Sequence, residues 1–139
     1  TFWHALEHLP DPHHYLRRVT SSMRDDGILL IGLPNWNSLD AEYYGPEWAA
    51  YDVPRHITHF TRDAMERLLV QHGLTISSTF GLPFDAFYIS MLSEKHGHGS
   101  AMKGLWTGIK SNWAAVNDST RWSSIIYVVR KFRTSETTG

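Results

Sequence analysis

The sequence predicts an α/β fold, and three observations carry that prediction. Ile28-Leu29-Leu30-Ile31-Gly32-Leu33 is an unbroken apolar run of strand length closed by Pro34. A strand with one wet face would alternate, so this run reads as a central strand with parallel neighbours, covered by helices. Stretches of helical period lie on both sides of it, from about 12 to 24 and from Arg62 to His72. Leu74 to Phe80 then alternates, with Leu74, Ile76, Ser78 and Phe80 on one face, which marks a half-covered strand near a sheet edge.

Each element has a local cause. Thr1 to Trp3 reads as a strand stub. Asp11 caps orphan amides and Pro12 occupies a first turn where its missing N–H does no harm. In the helix that follows, Tyr15, Leu16, Val19 and Met23 share a face, with Arg17, Arg18, Arg24, His13 and His14 as a solvated flank. Asp25-Asp26-Gly27 is turn chemistry. Thr61 caps the next helix, Ala64, Met65, Leu68 and Leu69 face inward, and Gly73 stops it. Phe84, Phe87, Tyr88, Met91 and Leu92 predict a helix from 84 to about 94. Met102, Leu105, Trp106, Ile109 and Trp113 predict another with a broad aromatic face. Between them, Glu94 to Ser100 reads as a flexible loop with solvated His96 and His98. Gly104 and Gly108 form a small-residue pair, but Lys103 and Lys110 make this a soluble helix. Ser124 to Val129 is a final strand, and Lys131 to Gly139 reads as a disordered tail.

Composition bounds the function. The 139 residues are 42% apolar with a net charge of −1, enough for one globular domain and no field for general nucleic-acid binding. There is no cysteine, so disulfides and thiolate metal sites are excluded. The sequence offers no apolar segment of about 20 residues, so no membrane association and a cytoplasmic location are expected. The chain opens on Thr1-Phe2-Trp3 without an initiator methionine, from which missing upstream residues are expected.

Most of the chemistry lies in Trp3-His4-Ala5-Leu6-Glu7-His8-Leu9-Pro10-Asp11-Pro12. If residues 4 to 9 make one helical turn, His4, Glu7 and His8 stand at i, i+3 and i+4 and converge. His-x-x-Glu-His is also an inverzincin signature, a metal-dependent hydrolase reading. Pro10 stops the turn at about Leu9, where a peptidase helix would run on. A third reading has the two imidazoles merely capping or hydrogen-bonding locally. Residues 39 to 60 form a long connection crowded with aromatics, of the length that serves as a lid. Within it Arg55, His56 and His59 suit a small anionic or hydroxylated ligand.

Taken together, the 3–12 stretch, Asp26-Gly27-Ile28-Leu29-Leu30-Ile31 leading to Leu33-Pro34-Asn35, and Pro54-Arg55-His56 followed by His59-Phe60-Thr61 resemble the C-terminal half of a class I S-adenosylmethionine-dependent methyltransferase. The resemblance spans nearly the whole chain. It implies a partial Rossmann-like methyltransferase sheet, strands four to seven of the family with the last antiparallel, flanking helices and a helical insertion at about 84–116. Residues 1–131 would be this half-domain and 132–139 its tail. The family's glycine-rich cofactor turn after its first strand is not matched by any of the ten glycines. The chain is therefore expected to be a fragment that alone binds S-adenosylmethionine poorly, is inactive, and self-associates through an exposed sheet edge.

The resemblance also assigns roles. Trp3 and His4, at the end of the fourth strand, would contact the cofactor. His4 would act as general base on the acceptor, with Glu7 orienting it, and His8, Arg55 and His56 would complete the catalytic set. Ubiquinone-pathway O-methyltransferases and small-RNA 3′-end methyltransferases carry a similar Glu-x-x-Glu-His with a divalent ion. Here His4 replaces the first glutamate, which favours a softer ion than magnesium, held by His4, Glu7, His8 and His56 or His59. The acceptor would be a sugar, quinone precursor or secondary metabolite. A non-catalytic association module is the remaining alternative.

Overall fold

The computed structural model describes residues 1–97 and 99–132. Strand β1 is Phe2–Trp3, followed by a 3₁₀ turn at Leu6–His8 and helix α1 at Pro12–Ser22. The Asp11 carboxylate accepts from the His14 N–H at 3.0 Å, as the Asp-Pro pair requires. Strand β2 is Leu29–Pro34. Helix α2 at Leu39–Tyr44 and 3₁₀ turns at Gly45–Glu47 and Ala49–Tyr51 give the long connection its own structure. Helix α3 is Arg62–Val70, capped by Thr61, with Gly73 at φ 69° beyond its end. Strand β3 is Leu74–Gly81, helix α4 Pro83–His96, helix α5 Ala101–Asn117 and strand β4 Ser124–Lys131.

The sheet order is β1-β2-β4-β3. β1 is parallel to β2, while β4 is antiparallel to both β2 and β3. The expectation of parallel neighbours on both sides of Ile28–Leu33 is therefore overturned on one side. An apolar run reports how thoroughly a strand is covered, whichever direction its neighbour runs. The antiparallel last strand agrees with what the resemblance implied, and β3 lies at the edge as its alternation predicted.

Leu29, Ile31 and Leu33 share a buried face with Ile125, Tyr127 and Val129, packed under Leu16 of α1 and Met65, Leu68 and Leu69 of α3. Tyr15, expected on the inner face of α1, is exposed instead. On the other face of the sheet the Trp3 ring lies over Gly32, where an added Cβ would meet it at 3.2 Å. In β3, Ile76 pairs with Val129 but Ser78 with Val128, so Ser77 is an inserted bulge. The bulge reverses the alternation, and Phe80, expected inward, is exposed.

A second apolar cluster, Ala41, Trp48, Ala49, Ala50 and Ile89, joins α2, the 3₁₀ turns and α4 into a cap. Its polar pin is Asp40, fully buried: one oxygen accepts from the Trp48 indole N–H at 2.9 Å. The other accepts from the hydroxyls of Ser111 and Ser123 at 2.8 and 2.7 Å. Every lone-pair direction in use has a donor, which is what a carboxylate needs to sit out of water.

The α4–α5 hairpin is packed inside out. Apart from Ile89, which packs into the cap, its buried positions are small or polar, among them Ala86, Ser90 and Ser93 on α4 and Gly104, Gly108 and Ser111 on α5. A Cβ on Gly104 would stand 2.8 Å from the Cα of Met91, so the glycines let the two backbones touch. The large apolar side chains of α5 face out, as do Phe84, Tyr88 and Met91 of α4. Glu94–His96, expected in a loop, continue α4, with Glu94 buried and accepting from the Tyr44 hydroxyl. Lys131, expected in the tail, ends β4, and the Phe132 N–H donates to Gly73 O at 2.9 Å. His98 and the rest of the predicted tail, 133–139, lie outside the described residues.

Candidate active site

The site is built where β1 ends. The His4 N–H donates to Gly32 O at 3.0 Å, extending the parallel ladder by one bond. His4 itself has φ 43°, a left-handed conformation costly for a side chain with a Cβ, of the kind that concentrates at functional sites. That turn swings the chain into the single 3₁₀ turn Leu6–His8, which anchors Leu6 in the core and carries Glu7 inward. Leu9 is extended and Pro10 follows, so the turn stops where the proline predicted and no helix runs through position 10.

The Arg55-His56 loop is clamped onto this turn by backbone. Ile57 and Thr58 N–H both donate to Glu7 O, at 2.8 and 3.2 Å. Asp52, at φ 38°, offers its carbonyl to the N–H groups of Arg55 and His56. Val53–Pro54 is cis.

Trp3, His4, Arg55 and His56 line one cavity of about 560 Å³, closed on the cap side by Asp85, Tyr88 and Leu92 of α4. His4 lies between two carboxylates, with Nε2 3.5 Å from Asp85 Oδ2 and Nδ1 3.6 Å from Glu7 Oε1. Asp85, then Glu7, raise its pKa to about 9 against a smaller opposing effect of burial. The imidazole, expected to titrate near neutrality, is thus a cation at neutral pH. Burial pushes the Asp85 carboxyl up, but His4 and the Ser124 hydroxyl together hold it below its ordinary range.

Glu7 does not line that cavity. It is 2% exposed, and neither carboxylate oxygen has a hydrogen-bond partner among the described residues. Its nearest neighbours are His4 and, at 3.9 Å, the Nε2 of His56. Glu7, His8 and His56 each offer a ligand atom within 4.8 Å of the others. The His8 Nδ1–H donates to Arg55 O at 2.9 Å and the His56 Nδ1–H to Ala50 O at 2.8 Å. A carbonyl only accepts, so both rings keep the lone pair on Nε2, the orientation that outer hydrogen bonds impose on metal-binding imidazoles. A pocket of about 10 Å³, lined by Glu7, His56, His59 and Trp36 among others, lies beside the carboxylate.

The expected set is therefore divided. His4 is left out of the metal grouping and pairs with Asp85 instead, because its left-handed backbone turns it off the 3₁₀ turn. His59 is also outside the grouping, edge-on to Tyr51 and Trp36, and burial lowers its pKa. Arg55 is mostly exposed at the cavity mouth and pairs with Asp52 at 3.1 Å. Asp85 was missed in the sequence, where an acid in the first turn of a helix reads as a partner for the helix dipole.

A family model described as a methyltransferase domain matches residues 1–79. The chain belongs to that family. The match takes in β1, the His4–His8 stretch, β2, the clamped Arg55-His56 loop and α3, and ends within β3. In this methyltransferase domain the α4–α5 hairpin lies beyond the matched residues, where the sequence placed an insertion. No curated protein sequence matches the chain.

Proposed function

We propose that the cavity at the strand tips is the acceptor side of an S-adenosylmethionine-dependent methyltransferase acting on a small hydroxylated or anionic metabolite, such as a sugar, quinone precursor or secondary metabolite. The observation that carries this reading is His4, held between Asp85 and Glu7 at the mouth of a cavity it shares with Arg55 and His56, in a chain of this family. When bound, S-adenosylmethionine supplies an electrophilic methyl group on a sulfonium cation. The residues fit it. Asp52 and Asp85 set carboxylates on the cavity wall, and the exposed Trp3 ring offers a π face to the sulfonium. Trp3 and His4 are then the cofactor contacts.

His4 is the proton acceptor. In its neutral form His4 would take the acceptor's hydroxyl proton on Nε2, while Glu7 would steady the Nδ1–H. Arg55 holds an anionic or hydroxyl group of the acceptor at the mouth, His56 lines the same cavity from the clamped loop, and His8 on the 3₁₀ turn supports that loop through Arg55 O. A base whose pKa is about 9 is strong but mostly protonated at neutrality, so methyl transfer should quicken as pH rises toward that value.

Glu7, His8 and His56 fit a divalent ion, since the buried unpartnered carboxylate needs a positive charge and both imidazoles are held in the ligating tautomer. One oxygen and two nitrogen donors suit zinc, manganese or iron better than magnesium. Such an ion would polarise an acceptor oxygen. A peptidase-type hydrolase needs a helix continuing past Leu9, and the chain is extended there. An association module would leave these side chains divergent, whereas His4, Arg55 and His56 share one cavity.

In this reading the chain alone holds S-adenosylmethionine weakly and can self-associate through the free edge of β1. Calorimetry with S-adenosylmethionine on this chain, and on a form extended upstream of Thr1 by a glycine-rich cofactor turn, tests it. Binding should be confined to the extended form, and His4→Ala in that form should slow transfer at least about a hundredfold. An extended form that fails to bind would end the proposal.

A further inference from the structure

The large side chains that give α5 its helical period are on the outside, as are Phe84, Tyr88 and Met91 of α4, while Phe87 and Leu92 are half-buried. Phe84 and Tyr88 are 83% and 66% exposed, and Met102, Trp106, Ile109 and Trp113 are 67%, 59%, 42% and 73% exposed. In water a helix buries such a stripe and wets its small residues. Across its seam this hairpin packs glycine and serine, with Phe87 against Gly108, and turns its other aromatics outward, the arrangement of helices whose surroundings are themselves apolar. No helix among the described residues is long and apolar enough to cross a membrane, so such surroundings can be met only from one side.

Charge selects the occupant. α5 contains no aspartate or glutamate, and the two acids of α4 are turned away, Asp85 to His4 and Glu94 into the cap. Lys95 and Lys110 are exposed and have no ion-pair partner among the described residues, whereas Lys103 beside them pairs with Glu94 at 3.4 Å. A second copy docked by a two-fold axis would set this lysine-bearing patch against itself. An anionic lipid surface would attract it, and the tryptophan and tyrosine rings, apolar bodies with a polar tip, suit the headgroup boundary. Tyr88 also lines the cavity, so the face adjoins its mouth.

We propose that the outer face of the α4–α5 hairpin docks on an anionic bilayer surface, lying in its plane, against the expectation of no membrane contact drawn from the sequence. The proposal does not depend on the methyltransferase reading, and its test uses no methyl donor. In flotation, the chain should rise with phosphatidylcholine vesicles containing phosphatidylglycerol and much less with phosphatidylcholine alone. The Trp106→Ser, Trp113→Ser double variant should lose at least about tenfold in partition, since each ring removed is worth that much or more. Lys95→Glu with Lys110→Glu should also lose binding, while circular dichroism and melting stay unchanged in both. Absence of binding to anionic vesicles, undiminished binding by the tryptophan variant, or a dimer in sedimentation that the same substitutions dissolve would each overturn it.

Discussion

The Nε2 of His4 stands 3.5 Å from Oδ2 of Asp85, so the tip of β1 and the first turn of α4 meet through one charged contact. This contact is the largest influence raising His4 from 6.5 to about 9. Asp85→Asn should therefore bring the His4 titration, followed by NMR of its ring protons, back toward the ordinary histidine range. Because the folded-state pKa is the higher one, the contact's contribution to stability is complete below 6.5 and fades as pH rises through about 9. Melting of the native chain should decline across that window more steeply than that of Asp85→Asn. Parallel profiles would show that the pair does not form.

Glu7 should govern divalent-ion binding. Zinc, manganese or cobalt titrated into the chain should bind, with affinity reduced at least about tenfold in Glu7→Gln and in His56→Ala. His4→Ala should leave that affinity nearly intact, since His4 is not in the grouping. A chelator should lower the melting temperature of the loaded native chain and leave Glu7→Gln unmoved. Equal affinity in the native chain and Glu7→Gln would remove the metal from the proposal.

Asp40→Ala should loosen the cap. It would leave the Trp48 indole N–H and the hydroxyls of Ser111 and Ser123 without their acceptor. Buried groups left unpaired cost about 1–3 kcal/mol each, so a loss of about 3 kcal/mol or more is expected in denaturant unfolding. A change under about 1 kcal/mol would mean that water replaces the carboxylate.

Gly104→Leu should part the hairpin, because the first added carbon already meets the Met91 backbone. Overpacking of this kind costs about 1–3 kcal/mol, read as a lowered denaturant midpoint. The same exchange at Gly73, where nothing lies within 4 Å of an added Cβ, would act through its positive φ alone and spare the hairpin.

These cases show what the sequence could disclose. Capping at Asp11 and Thr61, the stop at Pro10 and the apolar run of β2 are local, and each was legible. Periodicity grouped the large side chains of α4 and α5 but said nothing about which side they take: those of α5 are outside, while those of α4 divide, with Phe87 and Leu92 half-buried. The bulge at Ser77 left no trace in an alternating pattern, so Phe80 was placed on the wrong side. In the site, His4, Arg55 and His56 were recognised as partners across a long separation, whereas Asp85 depends on where α4 crosses the mouth. The exclusion of His4 from the Glu7 grouping turns on one backbone angle that no spacing rule contains.

The clamp on Glu7 is made by its main-chain oxygen receiving two main-chain amides, so the loop's seat is indifferent to the side chains at 57 and 58. Either residue can be exchanged without unseating the loop, provided neither becomes proline, which has no N–H to donate.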